Sequence, residues 1–225
     1  MALPDSGMIW LSQLRDEFGN LGPPNWLSHY YRGALTTQNN TGVPDSGWIS
    51  LGHFFGTRKS VAGSWERTSP GSYSFTVPHY STLRIDVRGA GGGGGGSTYD
   101  VGYPGSNGAA GGYATVSGTG LQGNGGAGGQ GSYYSRPGKA ASGSGSGGNV
   151  LNSTGGGANG GVGGTYGSTK GGDGGDGGRA VSDIAPGAIA PGTVLTVTVP
   201  SGGGGGAGQI AGAKGGNGAV YISWT

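Results

Sequence analysis

Side chains suited to acid–base or metal chemistry are sparse in this 225-residue sequence. The three histidines, His29, His53 and His79, do not fall at a metal-ligand spacing such as His-x-x-x-His. No Gly-x-Ser-x-Gly nucleophile motif occurs, and the absence of cysteine excludes a disulfide framework and a thiolate metal site. The sequence therefore predicts no catalytic residue, no metal and no cofactor.

Two glycine motifs resemble nucleotide-binding sequences only in part. Residues 123–128 match Gly-x-Gly-x-x-Gly, but such matches arise by chance in a glycine-rich stretch, and no acidic residue follows in a strand–helix–strand context. Lys139 follows Gly138 but precedes Ala140, whereas a phosphate-binding loop needs Ser or Thr there. We therefore predict no nucleotide site.

Acidic residues are few in residues 89–225, where they are Asp100, Asp173, Asp176 and Asp183. A depolymerase would need a pair of carboxylates in a cleft, which this supply does not favour. Asp173 and Asp176 are three residues apart, whereas a calcium-binding glycine/aspartate repeat has a nine-residue period in several copies. We interpret them as solvent-facing positions of Gly-Gly-X turns, and a bound cation there stays open.

Four polar islands interrupt the glycine-rich region, at residues 97–104, 132–137, 149–154 and 165–170. They combine Tyr with Ser and Asn, a composition that recognition loops favour because a rigid ring gives contact area at small entropic cost. Some of these tyrosines could instead pack on neighbouring strands. The predicted binding residues are Tyr99, Asp100, Tyr103, Tyr133, Tyr134, Arg136, Asn152, Tyr166 and Lys170.

Glycine dominates the composition, with 61 residues that lie mostly between positions 89 and 218. Gly-Gly-X patches follow the six glycines of residues 91–96, and a spacing of three matches the polyproline II-like helix of about three residues per turn. Helices without Cβ atoms can pack side by side and pair their backbone groups with their neighbours. A collagen repeat does not fit, because the triplet frame breaks at residues 133–137. A flexible Gly/Ser coil is the remaining alternative.

Strands are predicted on both sides of the glycine-rich region. Residues 83–88 and 194–199 alternate apolar and polar side chains with period two, and residues 73–77, 113–116 and 220–224 are similar. Such a frame is not needed by a free linker. We predict a mostly β and irregular fold, with a domain over residues 61–225 in which strands frame a block of packed polyglycine II helices.

The N-terminal segment, residues 1–60, contains an internal repeat. The sequence Pro-Asp-Ser-Gly at residues 4–7 recurs at residues 44–47, and Trp26-Leu27-Ser28 echoes Trp10-Leu11-Ser12 between them. After each copy the pattern predicts a short helix, with caps at Ser12, Ser28 and Gly52 and closing glycines at Gly19, Gly33 and Gly56. Units this short need to pack on one another or on a larger assembly.

Charge and hydropathy exclude two further classes. The net charge of +2 and a charged fraction of 10% give no basic stripe, so nucleic acid is not a predicted partner. No run of 18 apolar residues occurs, and the first ten residues lack the pattern of a secretory signal. We expect neither membrane insertion nor a classical leader.

The framing strands resemble those of a known family. Residues 70–78 and 83–93 look like the opening of the glycine-rich domains in bacteriophage tail-fibre and receptor-binding proteins, and residues 215–224 resemble their closing strand. The N-terminal residues 9–19 and 27–33 are similar to short repeats of phage virion structural proteins. In the tail-fibre adhesins of this family, polyglycine II helices form a sandwich whose distal loops touch the bacterial receptor, although their N-terminal attachment domain is a different one.

The resemblance implies a virion protein at the tip of a tail or tail fibre, with a bacterial surface protein or glycan and other tail proteins as partners. Recognition would be non-covalent, and both a monomer and a homotrimer stay open. A structural spacer of the virion is the alternative, and an ice-binding or matrix protein is a more distant one. The residues expected to dock to the virion are Trp10, Leu14, Trp26, Tyr30, Tyr31, Trp48, Phe54 and Phe55.

Overall fold

A computed structural model describes residues 3–19, 26–32, 42–57, 61–99, 103–133 and 139–225. Its helical elements are the α-helix α1 (Leu11–Phe18) and two 3-10 turns, Leu27–Tyr30 and Leu51–Phe54. Its strands are β1 Gly63–Arg67, β2 Gly71–Thr76, β3 Leu83–Arg88, β4 Ser97–Thr98, β5 Ala114–Val116, β6 Gln122–Gly123, β7 Ser132–Tyr133, β8 Gly145–Ser146, β9 Leu151–Ser153, β10 Thr165–Tyr166, β11 Thr169–Lys170, β12 Arg179–Ile184, β13 Val194–Val199 and β14 Ala219–Trp224.

The N-terminal helical elements pack around a small aromatic core. Each helical element has one fully buried side chain at the same place, four residues after the N-cap. These side chains are Leu14, Tyr30 and Phe54. The ring of Phe54 lies 6.3 Å from that of Tyr30 and 6.4 Å from that of Phe18. The three short elements thus bury their equivalent side chains against one another.

The start of α1 differs from the predicted cap. Ser12 lies inside the helix, which begins at Leu11, and the backbone N–H of Trp10 donates to Gln13 Oε1 at 2.8 Å. The same arrangement recurs before the last 3-10 turn, where Ser50 N–H donates to His53 Nδ1 at 3.0 Å. Gly19 follows α1 with a φ of +106°, as predicted for its closing residue. Gly33 lies outside the described residues.

Two five-stranded antiparallel sheets enclose the second core. One has the order β1-β14-β3-β12-β9 and the other the order β2-β13-β5-β6-β8. Alternate side chains of β3, β13 and β14 point between the sheets, among them Ile85, Val197 and Ile222, which are almost fully buried. The strands predicted at residues 83–88 and 194–199 are confirmed residue for residue. The chain is therefore mostly β, with antiparallel sheets.

Eight extended runs, seven of them glycine-rich, lead from one end of this sandwich, and we call them together the glycine bundle. They are run 1 (89–96), run 2 (105–112), run 3 (124–131), run 4 (139–144), run 5 (157–164), run 6 (171–178), run 7 (201–207) and run 8 (211–218). Runs 1, 6, 7 and 8 continue directly from or into β3, β12, β13 and β14. The sandwich thus fixes where the bundle begins.

Run 1 is the centre of the bundle and bonds to its surroundings with a period of three. The N–H groups of Gly91 and Gly94 donate to run 8, those of Gly92 and Gly95 to run 6, and those of Gly93 and Gly96 to run 2. The donor–acceptor distances lie between 2.8 and 3.0 Å. Its carbonyl oxygens accept, with the same period, from runs 3, 5 and 7. The backbone groups of residues 91–96 are therefore all paired, with another run or, for the Gly96 carbonyl, with Ser132 directly after run 3.

The six runs around run 1 close into a ring, in the order 2, 3, 6, 5, 8, 7 and back to 2, and each neighbouring pair shares backbone hydrogen bonds. Runs 3, 5 and 7 are parallel to run 1, whereas runs 2, 6 and 8 are antiparallel to it. Direction therefore alternates around the ring. Run 4 lies outside the ring against runs 3 and 6, where Ala141 and Asp176 carbonyls accept from Ala127 and Gly143 N–H.

Polar side chains complete the outer edge of the bundle. Asn107 Oδ1 accepts from Gly131 N–H at 2.8 Å, Asp173 and Asp176 Oδ1 accept from Gly163 and Gly160 N–H at 2.8 Å, and Asn217 Oδ1 accepts from Gly202 N–H at 3.2 Å. In each case an antiparallel run supplies the side chain to a parallel run beside it. The carboxylates of Asp173 and Asp176 are thus half-buried on the outer edge of the bundle, and they belong to an extended run and not to the turns that the sequence predicted.

Candidate functional site

The end of the glycine bundle that lies away from the sandwich is formed by four connections, and we call it the distal face. Runs 1 and 2, 3 and 4, 5 and 6, and 7 and 8 are each joined there. Its described residues are 97–99, 103–106, 132–133, 165–170 and 207–210. Because each run is antiparallel to the next one along the chain, every second connection lies at the same end of the bundle. Three of the four polar islands predicted from the sequence therefore meet on one surface.

Short pairings hold the bases of these connections together. Strands β4 and β7 pair in parallel, with Ser97 opposite Ser132 and Thr98 opposite Tyr133. Ser97 also forms an antiparallel bridge with Ile210, with two backbone hydrogen bonds of 3.0 and 3.2 Å. Ser132 Oγ donates to the carbonyl oxygen of Lys170 at 2.8 Å. These bonds thus link all four connections in one series, from that of runs 5 and 6 through those of runs 3 and 4 and runs 1 and 2 to that of runs 7 and 8.

Three of the predicted tyrosines project from this surface. The exposed fraction is 51% for Tyr99, 77% for Tyr103 and 40% for Tyr166. The rings of Tyr99 and Tyr166, which belong to two different connections, lie 6.3 Å apart at an interplanar angle of 46°. A tyrosine ring offers apolar contact area and a hydroxyl group on one side chain, which suits it to a binding surface. The distal face is therefore the most distinctive surface among the described residues of the bundle.

Lys170 has a role within the bundle. Its Nζ lies 2.8 Å from Asp173 Oδ1, one turn of the run away. Burial alone would raise the pKa of Asp173, but the hydrogen bonds from Lys170 and from Gly163 N–H outweigh it and hold this pKa below its ordinary value. Lys139 and Gly160 N–H act on Asp176 in the same way, so its pKa is also lowered against the effect of burial. Both carboxylates therefore stay ionised.

Asn152 lies at the other end of the bundle, in β9 beside the sandwich, which corrects its prediction as a loop residue of the same surface. Its Oδ1 accepts from Gly148 N–H at 2.9 Å and its Nδ2 donates to the Gly148 carbonyl at 2.7 Å. Both bonds close a local turn. The island at residues 149–154 joins runs 4 and 5, and that connection returns to the sandwich because run 4 is antiparallel to run 3.

Three predicted binding residues, Asp100, Tyr134 and Arg136, lie outside the described residues. Tyr133 contributes its backbone to β7. Sequence reasoning missed the fourth connection, between runs 7 and 8, where Gln209 Oε1 accepts from the Tyr99 N–H at 2.9 Å. That segment, Ala-Gly-Gln-Ile, has no tyrosine, and the only available signal was that its glycine pattern is interrupted by two larger residues.

The residues expected to dock to the virion divide into buried, half-buried and exposed side chains. Leu14, Tyr30 and Phe54 are buried in the N-terminal core and cannot contact a partner without unfolding it. Tyr31 is half-buried, and its hydroxyl donates to the Gly47 carbonyl. The exposed members are Trp10, Trp26, Trp48 and Phe55. The docking hypothesis thus narrows to these four side chains.

No family model, no curated protein and no solved structure matches the chain. The described residues contain no group of three or more His, Cys, Asp or Glu that could hold a metal ion. Within the same residues, none of the helices has the length and apolar character required to cross a membrane.

Proposed function

We propose that the chain is a bacteriophage virion protein at the tip of a tail or tail fibre, where it recognises a receptor on the bacterial surface. Recognition is non-covalent, and the distal face is the contact surface. The observation that carries this proposal is the gathering of Tyr99, Tyr103 and Tyr166 on connections that meet at one end of the bundle, with 40% to 77% of each side chain exposed. Rigidly supported tyrosines are suited to binding because little entropy is lost on contact.

In this proposal the glycine runs are polyglycine II helices. The period of three in the donors and acceptors of run 1 supports it, because three residues per turn direct successive backbone groups to three different neighbours. The hexagonal surroundings of run 1 also require close backbone approach. A Cβ at Gly92, Gly93 or Gly94 would overlap the carbonyl oxygen of Ala127, Gly204 or Val162 in turn. The bundle then serves as a stiff support for its connections.

The N-terminal unit attaches the chain to other tail or fibre proteins. Trp10, Trp26 and Trp48 are each at least 61% exposed, although the unit buries Phe18, Tyr30 and Phe54 in its own core. Tryptophan is enriched in the energetically dominant centres of protein interfaces. Several copies of the chain in one particle, as in a homotrimer, would multiply weak receptor contacts.

Binding of the labelled chain to a panel of bacterial strains tests the adhesin function. The triple variant Tyr99→Ser, Tyr103→Ser, Tyr166→Ser is expected to lose binding to any strain that the unchanged chain recognises. Tyr113→Ser is the matched control, because Tyr113 is 58% exposed but lies beside β5 at the sandwich end. Binding that survives the triple change would refute the assignment to the distal face. Absence of binding to every strain would favour the spacer.

A further inference from the structure

A cleft of about 470 Å³ opens on the distal face between the connection of runs 1 and 2 and that of runs 7 and 8. The residues that line it are Thr98, Tyr103, Pro104, Ser106, Ala207, Gly208 and Gln209. Its volume falls within the range of roughly 300–1,000 Å³ that is usual for small-molecule sites. Sequence reasoning did not find it, because its two walls are 100 residues apart in the chain.

The wall chemistry of the cleft is neutral. Among the described residues that line it, none carries a charge, so these walls offer no counter-charge to an ionic ligand. What the walls do offer is a tyrosine ring, a proline ring and a set of hydroxyl and amide groups. A ligand that matches them needs apolar C–H faces and many hydroxyl groups on one small, uncharged framework.

Two hydrogen bonds fix the polar wall. Ser106 Oγ accepts from Ala207 N–H at 2.7 Å, which ties one wall to the other. Gln209 Oε1 accepts from Tyr99 N–H at 2.9 Å. This bond holds the amide in one orientation, so its NH₂ group has a set direction in which it can donate to a ligand. The cleft therefore presents the Gln209 NH₂ group as a donor in a fixed position.

Tyr103 supplies the apolar wall and is the most exposed tyrosine of the distal face, at 77%. The face of an aromatic ring carries negative charge and attracts polarised C–H groups, such as those on the flat side of a pyranose ring. A hydroxyl-bearing ring that stacks on Tyr103 can also accept from Gln209. We infer that this distal cleft binds an uncharged sugar unit of a bacterial surface glycan, an inference that rests on the proposed adhesin function.

The test uses the full-length chain and a strain that it binds. Binding is measured on intact cells, on cells whose sugars have been oxidised with periodate, on protease-treated cells, and by titration of surface polysaccharide extracted from that strain. We expect periodate to abolish binding, protease to leave it, and the extracted polysaccharide to bind directly.

Variants then locate the sugar. Tyr103→Ala is expected to weaken polysaccharide binding by about tenfold or more, the loss typical of an interface anchor, whereas Tyr103→Phe keeps the ring and stays within about threefold. Ala207→Phe fills the cleft without removing a polar side chain and should weaken binding equally. Tyr113→Ala, at the sandwich end, should leave it unchanged.

Each contrary result has a distinct meaning. Binding that survives periodate but not protease identifies a protein receptor, which overturns the sugar inference and leaves the adhesin function standing. Polysaccharide binding that Tyr103→Ala and Ala207→Phe both leave intact overturns the cleft as the site. A chain that binds no strain overturns the adhesin function and the sugar inference together.

Discussion

At the scale of single residues, the missing Cβ of glycine matters most where two runs touch. Positions 91–96 face carbonyl groups of runs 3, 5 and 7 in rotation, so an added methyl group has no free direction there. Most other glycines of the bundle are restricted in the same way. Gly204 in run 7 differs from them, because nothing lies within 4 Å of the place where its Cβ would stand.

Gly94→Ala and Gly204→Ala form a matched pair of substitutions. We expect Gly94→Ala to destabilise the domain by about 3 kcal/mol or more, because the new Cβ collides with the backbone of Val162 and must displace run 5. Gly204→Ala should change stability by no more than about 1 kcal/mol, and in the stabilising direction, because alanine restricts the unfolded chain. Chemical denaturation of both variants measures the difference. Equal effects would contradict the close packing of run 1.

The carboxylates of Asp173 and Asp176 give the bundle an acid-sensitive edge. Since hydrogen bonds from lysine and from backbone N–H hold the pKa of each below its ordinary value, the unfolded chain takes up protons first on acidification. Their contribution to stability is complete above the unfolded pKa of about 3.9 and is lost as pH falls through the lower folded pKa.

The double variant Asp173→Asn, Asp176→Asn tests this edge. The amide oxygens can still accept from Gly163 and Gly160 N–H, but the attraction to Lys170 and Lys139 is gone. We expect a lower melting temperature at pH 7 and a shallower fall between about pH 5 and pH 2 than in the unchanged protein. If the melting temperatures of the two proteins fell equally across that pH range, the two carboxylates would not contribute to stability.

At the scale of elements, a run of glycines has no internal hydrogen bonds and depends entirely on its neighbours. Run 1 has six of them, so its amides are the deepest in the bundle. This is the feature that distinguishes an ordered bundle from a flexible glycine linker.

Hydrogen exchange of backbone amides measures that order directly. We expect the amides of residues 91–96 to exchange more than about a thousandfold more slowly than unprotected amides, because each donates to another run and opening requires several runs to separate. Gly118 and Gly120, in the exposed turn between β5 and β6, should exchange quickly and provide the comparison. Fast exchange throughout run 1 would refute the polyglycine II proposal.

The N-terminal helical elements offer a second comparison, between buried and exposed aromatic residues. Phe54→Ala removes a fully buried ring between Phe18 and Tyr30 and should cost about 3–5 kcal/mol. Trp26→Ala, at a position 62% exposed, should cost less than about 1 kcal/mol while weakening attachment to a tail partner. Circular dichroism during denaturation measures stability, and co-assembly with purified tail proteins measures attachment. Comparable losses of stability would show that Trp26 is structural.

The sequence predicted the framing strands well but said little about how the runs are arranged. Residues 83–88 and 194–199 alternate strictly, because one of their faces meets the core and the other does not. Strand β12 was missed because Ala180, Val181 and Ser182 are all buried, which removes the alternation. The place of Asn152 at the sandwich end depends on the direction of run 4, and no local residue pattern encodes that direction.

At the scale of the whole molecule, the two clusters of apolar side chains are separate. One contains Leu14, Tyr30 and Phe54 in the N-terminal unit, and the other contains Ile85, Val197 and Ile222 in the sandwich. The glycine bundle belongs to neither of them. The division at about residue 60 therefore separates a unit with exposed tryptophans from one with exposed tyrosines. This agrees with the proposal that the first unit attaches the chain and the second recognises the receptor.

The bundle is stabilised by backbone hydrogen bonds and not by a hydrophobic core. The heat-capacity change of its unfolding should therefore differ from that of ordinary domains. Melting it exposes mainly peptide groups, and hydration of polar surface lowers the heat capacity whereas hydration of apolar surface raises it. Calorimetry should therefore give a heat-capacity increment well below the usual figure of about 12–15 cal/mol/K per residue. An ordinary increment would contradict this account. A small increment flattens the stability curve, so the bundle would resist cold as well as it resists warmth.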